Sequence, residues 1–137
     1  MISSRDLKEL TPEVRAKAEQ HVAKCLDFGI TLLVYCTYRD SEAQLALYQQ
    51  GRTTPGKIVT NAKPGESYHN FRLAYDCVPV VNGKPVWDGS DPIWAVVGRL
   101  GEEVGLEWAG RWRGKLKEVA HFQAPGYVLA DLRRKNV

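Results

Sequence analysis

The sequence predicts an α+β fold in which a small antiparallel sheet is flanked by helices. Three observations predict it. Apolar residues recur at helical spacing after Thr11-Pro12, an apolar run rich in β-branched residues spans 30–37, and Asn82-Gly83 sits between apolar flanks as a two-residue hairpin signal. At 137 residues and 44% hydrophobic content the chain can fill one core and is too short for two ordinary domains, so one domain over 1–137 is expected.

Each element has its own warrant. Thr11 reads as the N-cap of the first helix and Pro12 as its first residue; Val14, Ala18, Val22, Cys25 and Leu26 form the inward stripe, and Gly29 stops it. His21 lies on or near that face, and with no second ligand at suitable spacing it reads as structural or solvated. Residues 30–37 read as a buried strand that delivers Tyr38 and Arg39 to its end. Ser41-Glu42-Ala43-Gln44 has the pattern of a capping box and opens a helix to about Gln50, closed by Gly51. Arg39 therefore sits at a strand-to-helix corner, where side chains commonly face a cleft; pairing with Asp40 or Glu42 is the simpler alternative.

Gly51, Pro55, Gly56, Pro64 and Gly65 break residues 51–66 into a loop long enough to form a wall of a cleft. Residues 73–78 read as a strand bounded by Pro79, and Pro79 and Pro85 place the following hairpin at a sheet edge. Asp91-Pro92 starts a helix with Trp94, Val97, Leu100 and Val104 inward and Gly105 at its end. Trp87 and Trp94 are expected in the core, Trp108 and Trp112 nearer a site. Residues 119–123 read as the last strand, with His121 and Gln123 on one face and Phe122 on the other. The tail through Arg133-Arg134-Lys135 reads as a solvated end.

The net charge of +3 is mild and its cations are interspersed with acids, which excludes a nucleic-acid-binding tail. The N-terminus lacks the pattern of a signal peptide and no run reaches transmembrane length, so synthesis in the cytoplasm is expected. Cys25, Cys36 and Cys77 are odd in number and lack C-x-x-C spacing, and read as buried small apolar residues.

The chemistry concentrates in residues 66–78 and 118–123. His69, Asp76 and His121 supply two imidazoles and a carboxylate, the set that leaves an open position on a catalytic zinc, with Glu118 as a spare carboxylate. The odd separation of His69 and Asp76 would put them on opposite faces of one strand, so His69 belongs in the loop before it. On residue types alone a second reading stands beside this one. Asp76 would cap or pair with an arginine, and the histidines would be satisfied core residues.

The pattern Ser67-x-His69-x-x-x-x-Ala74-x-Asp76, followed by Glu118-x-x-His121, resembles the zinc peptidases of the D-Ala-D-Ala carboxypeptidase and dipeptidase group. Upstream, Thr37-Tyr38-Arg39-Asp40, Gln44, Leu47-Tyr48, Gly51-Arg52-Thr53, Pro55-Gly56 and Ile58-Val59-Thr60 resemble the L-alanyl-D-glutamate endopeptidase branch, which includes bacteriophage endolysins. Downstream, Gly105-Leu106-Glu107-Trp108 and His121-Phe122-Gln123 continue the likeness. The chain departs from the group where Arg72 replaces its usual glycine, and where Ala109-Gly110-Arg111-Trp112 replaces G-G-D-W.

The resemblance implies a hedgehog/D-Ala-D-Ala peptidase-like fold with a zinc site on the sheet. It implies Zn2+ held by His69, Asp76 and His121, with Glu118 as general base and acid. Arg39 would stabilise the oxyanion or grip a substrate carboxylate. Beside what the resemblance implies, a cationic cleft would suit the substrate's carboxylate and Arg72 would add to it, Trp108 would line the site, and Ser67 would either hydrogen-bond near the metal or serve the loop's geometry. The substrate implied is the peptidoglycan stem peptide, cut between L-Ala and D-Glu, by a monomer that binds no nucleic acid, makes no stable membrane insertion and carries no separate cell-wall-binding domain. An endolysin of this kind accumulates in the host cytoplasm and reaches the wall from the periplasm after holin-dependent release. Two alternatives remain: a D-Ala-D-Ala carboxypeptidase acting on the stem-peptide terminus, and a non-catalytic zinc-stabilised binding domain like the related hedgehog-type domains. Glu118 argues against the second, since a structural site has no use for it.

Overall fold

The structure, a computed structural model, describes residues 1–135. Thr11 accepts a hydrogen bond from the Val14 amide and Pro12 opens the first helix, α1 (Pro12–Asp27). Apolar runs then form β1 (Thr31–Cys36) and β2 (Ala74–Val81), with α2 (Ser41–Gln49) between them. The rest is β3 (Lys84–Pro85), α3 (Ile93–Glu103), β4 (Glu107–Trp108), β5 (His121–Gln123) and α4 (Leu129–Lys135). All strand pairs are antiparallel, in the order β1-β2-β5-β4, with β3 added to β2 by a hairpin. The expected α+β class, a small antiparallel sheet with flanking helices, is the class observed.

Strand alternation divides β2 between two environments. Tyr75 and Cys77 point into a core shared with Val14, Ala18, Val97 and Phe122, while Asp76 points to the opposite face. Asn82 and Gly83 form the hairpin turn with φ of 52° and 76°, the positive pair that a tight two-residue hairpin requires.

Several expectations need correction. Strand β2 does not stop at Pro79: that residue pairs with Leu32 and accepts a hydrogen bond from the Val86 amide, at a point where β2 has already passed the end of β5. The N-cap of α2 is Asp40, whose Oδ1 accepts from the Ala43 amide at 2.8 Å, so Ser41 is the first helical residue and Gln44 is released from capping. The last strand begins at His121, two residues later than expected. Two elements went unanticipated. The tail coils into α4, where Arg133 reaches Glu66 at 3.7 Å, and β4 pairs Trp108 with Phe122. Trp94 is buried as expected, but Trp87 is 59% exposed because β3 ends before it.

His21 is a core group. Its Nε2–H donates to the Val97 carbonyl at 2.8 Å, so its Nδ1 accepts the Tyr75 hydroxyl at 2.6 Å. Burial holds its pKa down at about 4. The folded value lies below the unfolded one near 6.5, so the neutral imidazole's contribution is complete above 6.5 and is lost as pH falls toward 4. Urea unfolding across that window should show wild-type stability dropping by up to roughly 3 kcal/mol more than that of His21→Leu. Parallel pH profiles for the two proteins would contradict this assignment.

Candidate metal centre and cleft

The pairing of β2 with β5 sets Asp76 directly opposite His121. His69 arrives from a single 3-10 turn, Tyr68–Phe71, just ahead of β2, as the spacing argument required. Ser67 caps that turn, its hydroxyl accepting from the His69 amide at 3.3 Å. The two rings and the carboxylate then meet at one atom. Asp76 Oδ1 lies 3.2 Å from His69 Nε2 and 3.1 Å from His121 Nδ1.

The outer nitrogens decide what those contacts mean. His69 Nδ1 is 2.9 Å from the Thr37 carbonyl, which can only accept, so that nitrogen carries the proton. His121 Nε2 faces Gln123 Oε1 at 2.8 Å and donates to it. In their neutral forms both rings therefore aim lone pairs at a carboxylate oxygen, an arrangement that requires a cation or extra protons among them. A divalent metal is one such cation, and imidazoles oriented by carbonyl partners are the usual support of a zinc ligand; Cys36, His69 and Asp76 have ligand atoms within 4.8 Å of one another, with His121 joining through Asp76 Oδ1. Protons alone show the same demand. Burial opposes charge on His69, yet Asp76 and then Cys36 outweigh it and push the pKa up to about 10. Burial likewise opposes the Asp76 anion, yet His69 and His121 hold it below the ordinary carboxylate range.

Around this centre runs a cleft lined by Tyr35, Arg39, Thr60, Trp112 and Glu118, with residues of the 51–66 loop as one wall. Glu118 is 62% exposed, and its Oε2 stands 3.8 Å from His121 Nδ1. Arg39 is held by its ends: Nη1 donates to Gln44 Oε1 at 2.8 Å and Nη2 to Cys36 Sγ at 3.3 Å, while the buried Nε has no partner among the described residues. Gln44, fully buried, donates in turn to the Ala62 carbonyl at 2.8 Å and so ties the arginine to the cleft wall.

Sequence reasoning missed two of these groups. Cys36 stands 3.6 Å from His69 Nδ1, and its sulfur lies within 4.8 Å of ligand atoms of His69 and Asp76. The register shift between Val34 and Cys36 brings it there, and no sequence signal marks that bulge. Gln44 was hidden by the capping-box pattern.

Two residues expected at the substrate lie elsewhere. Arg72 adopts the left-handed conformation, φ 63° and ψ 30°, that glycine gives at no cost. Its guanidinium stacks 3.8 Å over Tyr38 and pairs with Glu9 at 2.5 Å, anchoring the turn away from the cleft. Trp108 is buried: Gly98 and Gly110 leave its indole room that a Cβ at either would occupy, and its Nε1 donates to the Val119 carbonyl at 2.8 Å. Trp112 takes the place at the cleft, its ring 5.9 Å from that of His121. Arg111 makes paired hydrogen bonds to Glu102 at 2.5 and 2.7 Å.

Comparison with known proteins places this architecture. The family profile described as D-alanyl-D-alanine carboxypeptidase, peptidase M15, matches residues 60–124. The peptidoglycan L-alanyl-D-glutamate endopeptidase CwlK of Bacillus subtilis is 33% identical over 123 residues, covering 84% of this chain and 73% of that protein. This chain belongs to the M15 peptidase family. It is a metallopeptidase by that membership. Solved structures agree on the fold of this M15 peptidase. The Serratia marcescens L-Ala D-Glu endopeptidase ChiX superposes with a TM-score of 0.67 at 18% identity, covering 96% of this chain and 92% of its own. The D,D-pentapeptidase VanY, in complex with Zn(II), superposes with a TM-score of 0.59 at 14% identity, covering 93% and 80%.

Proposed function

We propose that this M15 peptidase is a zinc-dependent peptidoglycan hydrolase that cuts the L-Ala-D-Glu amide bond of the stem peptide. The observation that carries this reading is the convergence of His69, Asp76 and His121 on one point beside an exposed Glu118. His69, Asp76 and His121 would hold the zinc, which would supply an acidified water and a Lewis acid for the scissile carbonyl. Glu118, exposed to the cleft and close to His121, would accept a proton from the attacking water at its carboxylate and return it to the leaving amine. Arg39, braced by Gln44 and Cys36, offers positive charge to the developing oxyanion or to a substrate carboxylate. Ser67 keeps the His69 turn in shape and also lines the cleft, where it is within reach of substrate.

The likeness of residues 37–60 to the endolysin branch supports a place in phage-driven host lysis. The enzyme accumulates in the host cytoplasm and meets murein once a holin opens the inner membrane; among the described residues no helix is long and apolar enough to cross a membrane by itself. It acts as a monomer and one catalytic domain.

The name of the matching family profile favours a second reading, a carboxypeptidase that trims terminal D-Ala. Mass spectrometry of peptidoglycan digested by the zinc-loaded protein, with a chelated control, separates the two. Free stem peptides beginning with D-Glu are the expected product. Loss of terminal D-Ala alone moves the reading to carboxypeptidase, and no cleavage despite bound zinc moves it to a binding domain.

A further inference from the structure

The cleft does not end at the metal centre. Leu33 lies opposite Val78, two residues along β2 from Asp76, so Leu33 projects to the face that carries Asp76, and Tyr35, at the register shift between Val34 and Cys36, lines the cleft beside it. On the other side Val80 lies opposite Pro85, and Trp87 continues two residues beyond it. The result is a patch of Leu33, Tyr35 and Trp87, exposed by 45%, 37% and 59%. Tyr35 and Trp87 meet edge to face, centroids 5.4 Å apart at 71°, and Tyr35 also lines the cleft beside His69 and Glu118. Among the described residues the Trp87 indole N–H donates no hydrogen bond.

Contiguous exposed apolar side chains mark an interaction surface, whereas single ones do not. Trp offers a flat apolar face with an N–H at its rim, a match for a pyranose ring, whose C–H groups make an apolar face and whose hydroxyls accept at the edge. The substrate's own connectivity supplies a sugar at the right place. In the stem peptide L-Ala is joined through a lactyl group to the glycan, so a scissile L-Ala-D-Glu bond lies about 7 Å, two residue-lengths, from a saccharide ring. A chain gripped beside Glu118 has to lay that ring on one shoulder of the cleft.

We propose that Trp87, with Tyr35 beneath its edge, is a platform for the N-acetylated sugar of the glycan strand. The placement beside the cleft rests on the endopeptidase reading; binding of the sugar does not. The platform makes the enzyme prefer stem peptides still attached to glycan over free peptides, and so directs it to intact wall.

The zinc-loaded protein tests this in two ways. In NMR spectra that resolve the indole N–H signals, glycan strands stripped of peptide should shift the Trp87 signal, identified by its loss in Trp87→Ala. In cleavage assays, a muramoyl peptide should have a kcat/KM about tenfold above that of the same peptide without sugar. Trp87→Ala should abolish that preference and leave the sugar-free peptide unaffected, while Trp87→Phe should keep most of it. An unshifted Trp87 signal overturns the platform, as does a Trp87→Ala variant that slows both substrates equally. Broadening of that signal with protein concentration, in place of a response to glycan, assigns the patch to a second copy of this chain. A glycan-dependent shift with neither peptide cut leaves the platform standing and removes the endopeptidase reading.

Discussion

Replacing Glu118 with alanine is expected to lower kcat about 100- to 10,000-fold while one zinc stays bound per chain. The two halves of that expectation come from different distances. Glu118 Oε2 is 3.8 Å from His121 Nδ1 and the side chain is mostly exposed, so it stands beside the converging ligand atoms without joining them. The contacts of 3.1 and 3.2 Å that gather at Asp76 Oδ1 do not involve it. Removing it should leave zinc content by elemental analysis, and KM, close to wild type, because a proton acceptor for water is needed in the transition state more than in substrate binding. Glu118→Gln keeps the volume and loses the base, and should match the alanine variant. Retained activity in both would show that another group takes the proton. Loss of zinc in both would make Glu118 a ligand.

The parts of this site that could be read in the sequence are those fixed by local rules. An odd spacing forced His69 off the strand that carries Asp76, and period-two alternation put His121 and Gln123 on one face; the 3-10 turn and the His121–Gln123 contact follow from those rules. The Asn82-Gly83 hairpin and the Thr11-Pro12 helix start were equally local. What stayed hidden depends on long-range packing. Trp108 and Trp112 are four residues apart, and only the glycines of α3 and of the following turn send the first under the helix and leave the second at the cleft. Arg72 looked like a cleft cation because it follows His69 closely in sequence and a carboxylate substrate calls for one, yet Tyr38 and Glu9, distant in sequence, hold it aside. Asp40 outcompeted Ser41 as the cap of α2, and that one-residue offset turned Gln44 from a capping residue into the brace of Arg39. Arg72 holds its positive φ because those side-chain contacts offset the strain, a compensation invisible from the motif alone.

Asp76→Asn provides the sharpest separation between a metal ligand and a carboxylate that merely pairs with histidines. The substitution preserves shape and removes the anion shared by His69 and His121. In the zinc-free protein Asp76 is the counter-charge of a His69 held protonated beside it, so the chelated variant should melt below the chelated wild type whichever role holds. Zinc is where they part. A ligand at 1,000 times its dissociation constant stabilises the folded state by about 4 kcal/mol, on the order of 10 °C in Tm for a domain of this size. Wild type should show that rise, and Asp76→Asn should show little of it, retain far less than one zinc after dialysis, and lose hydrolysis with the metal. Had Asp76 only an ion-pairing role, the drop in chelator would be the same, but wild type and variant would respond to zinc alike. The two roles therefore differ in the zinc-induced rise in Tm and not in the chelated curves, so the experiment decides between them without any assay of peptidoglycan.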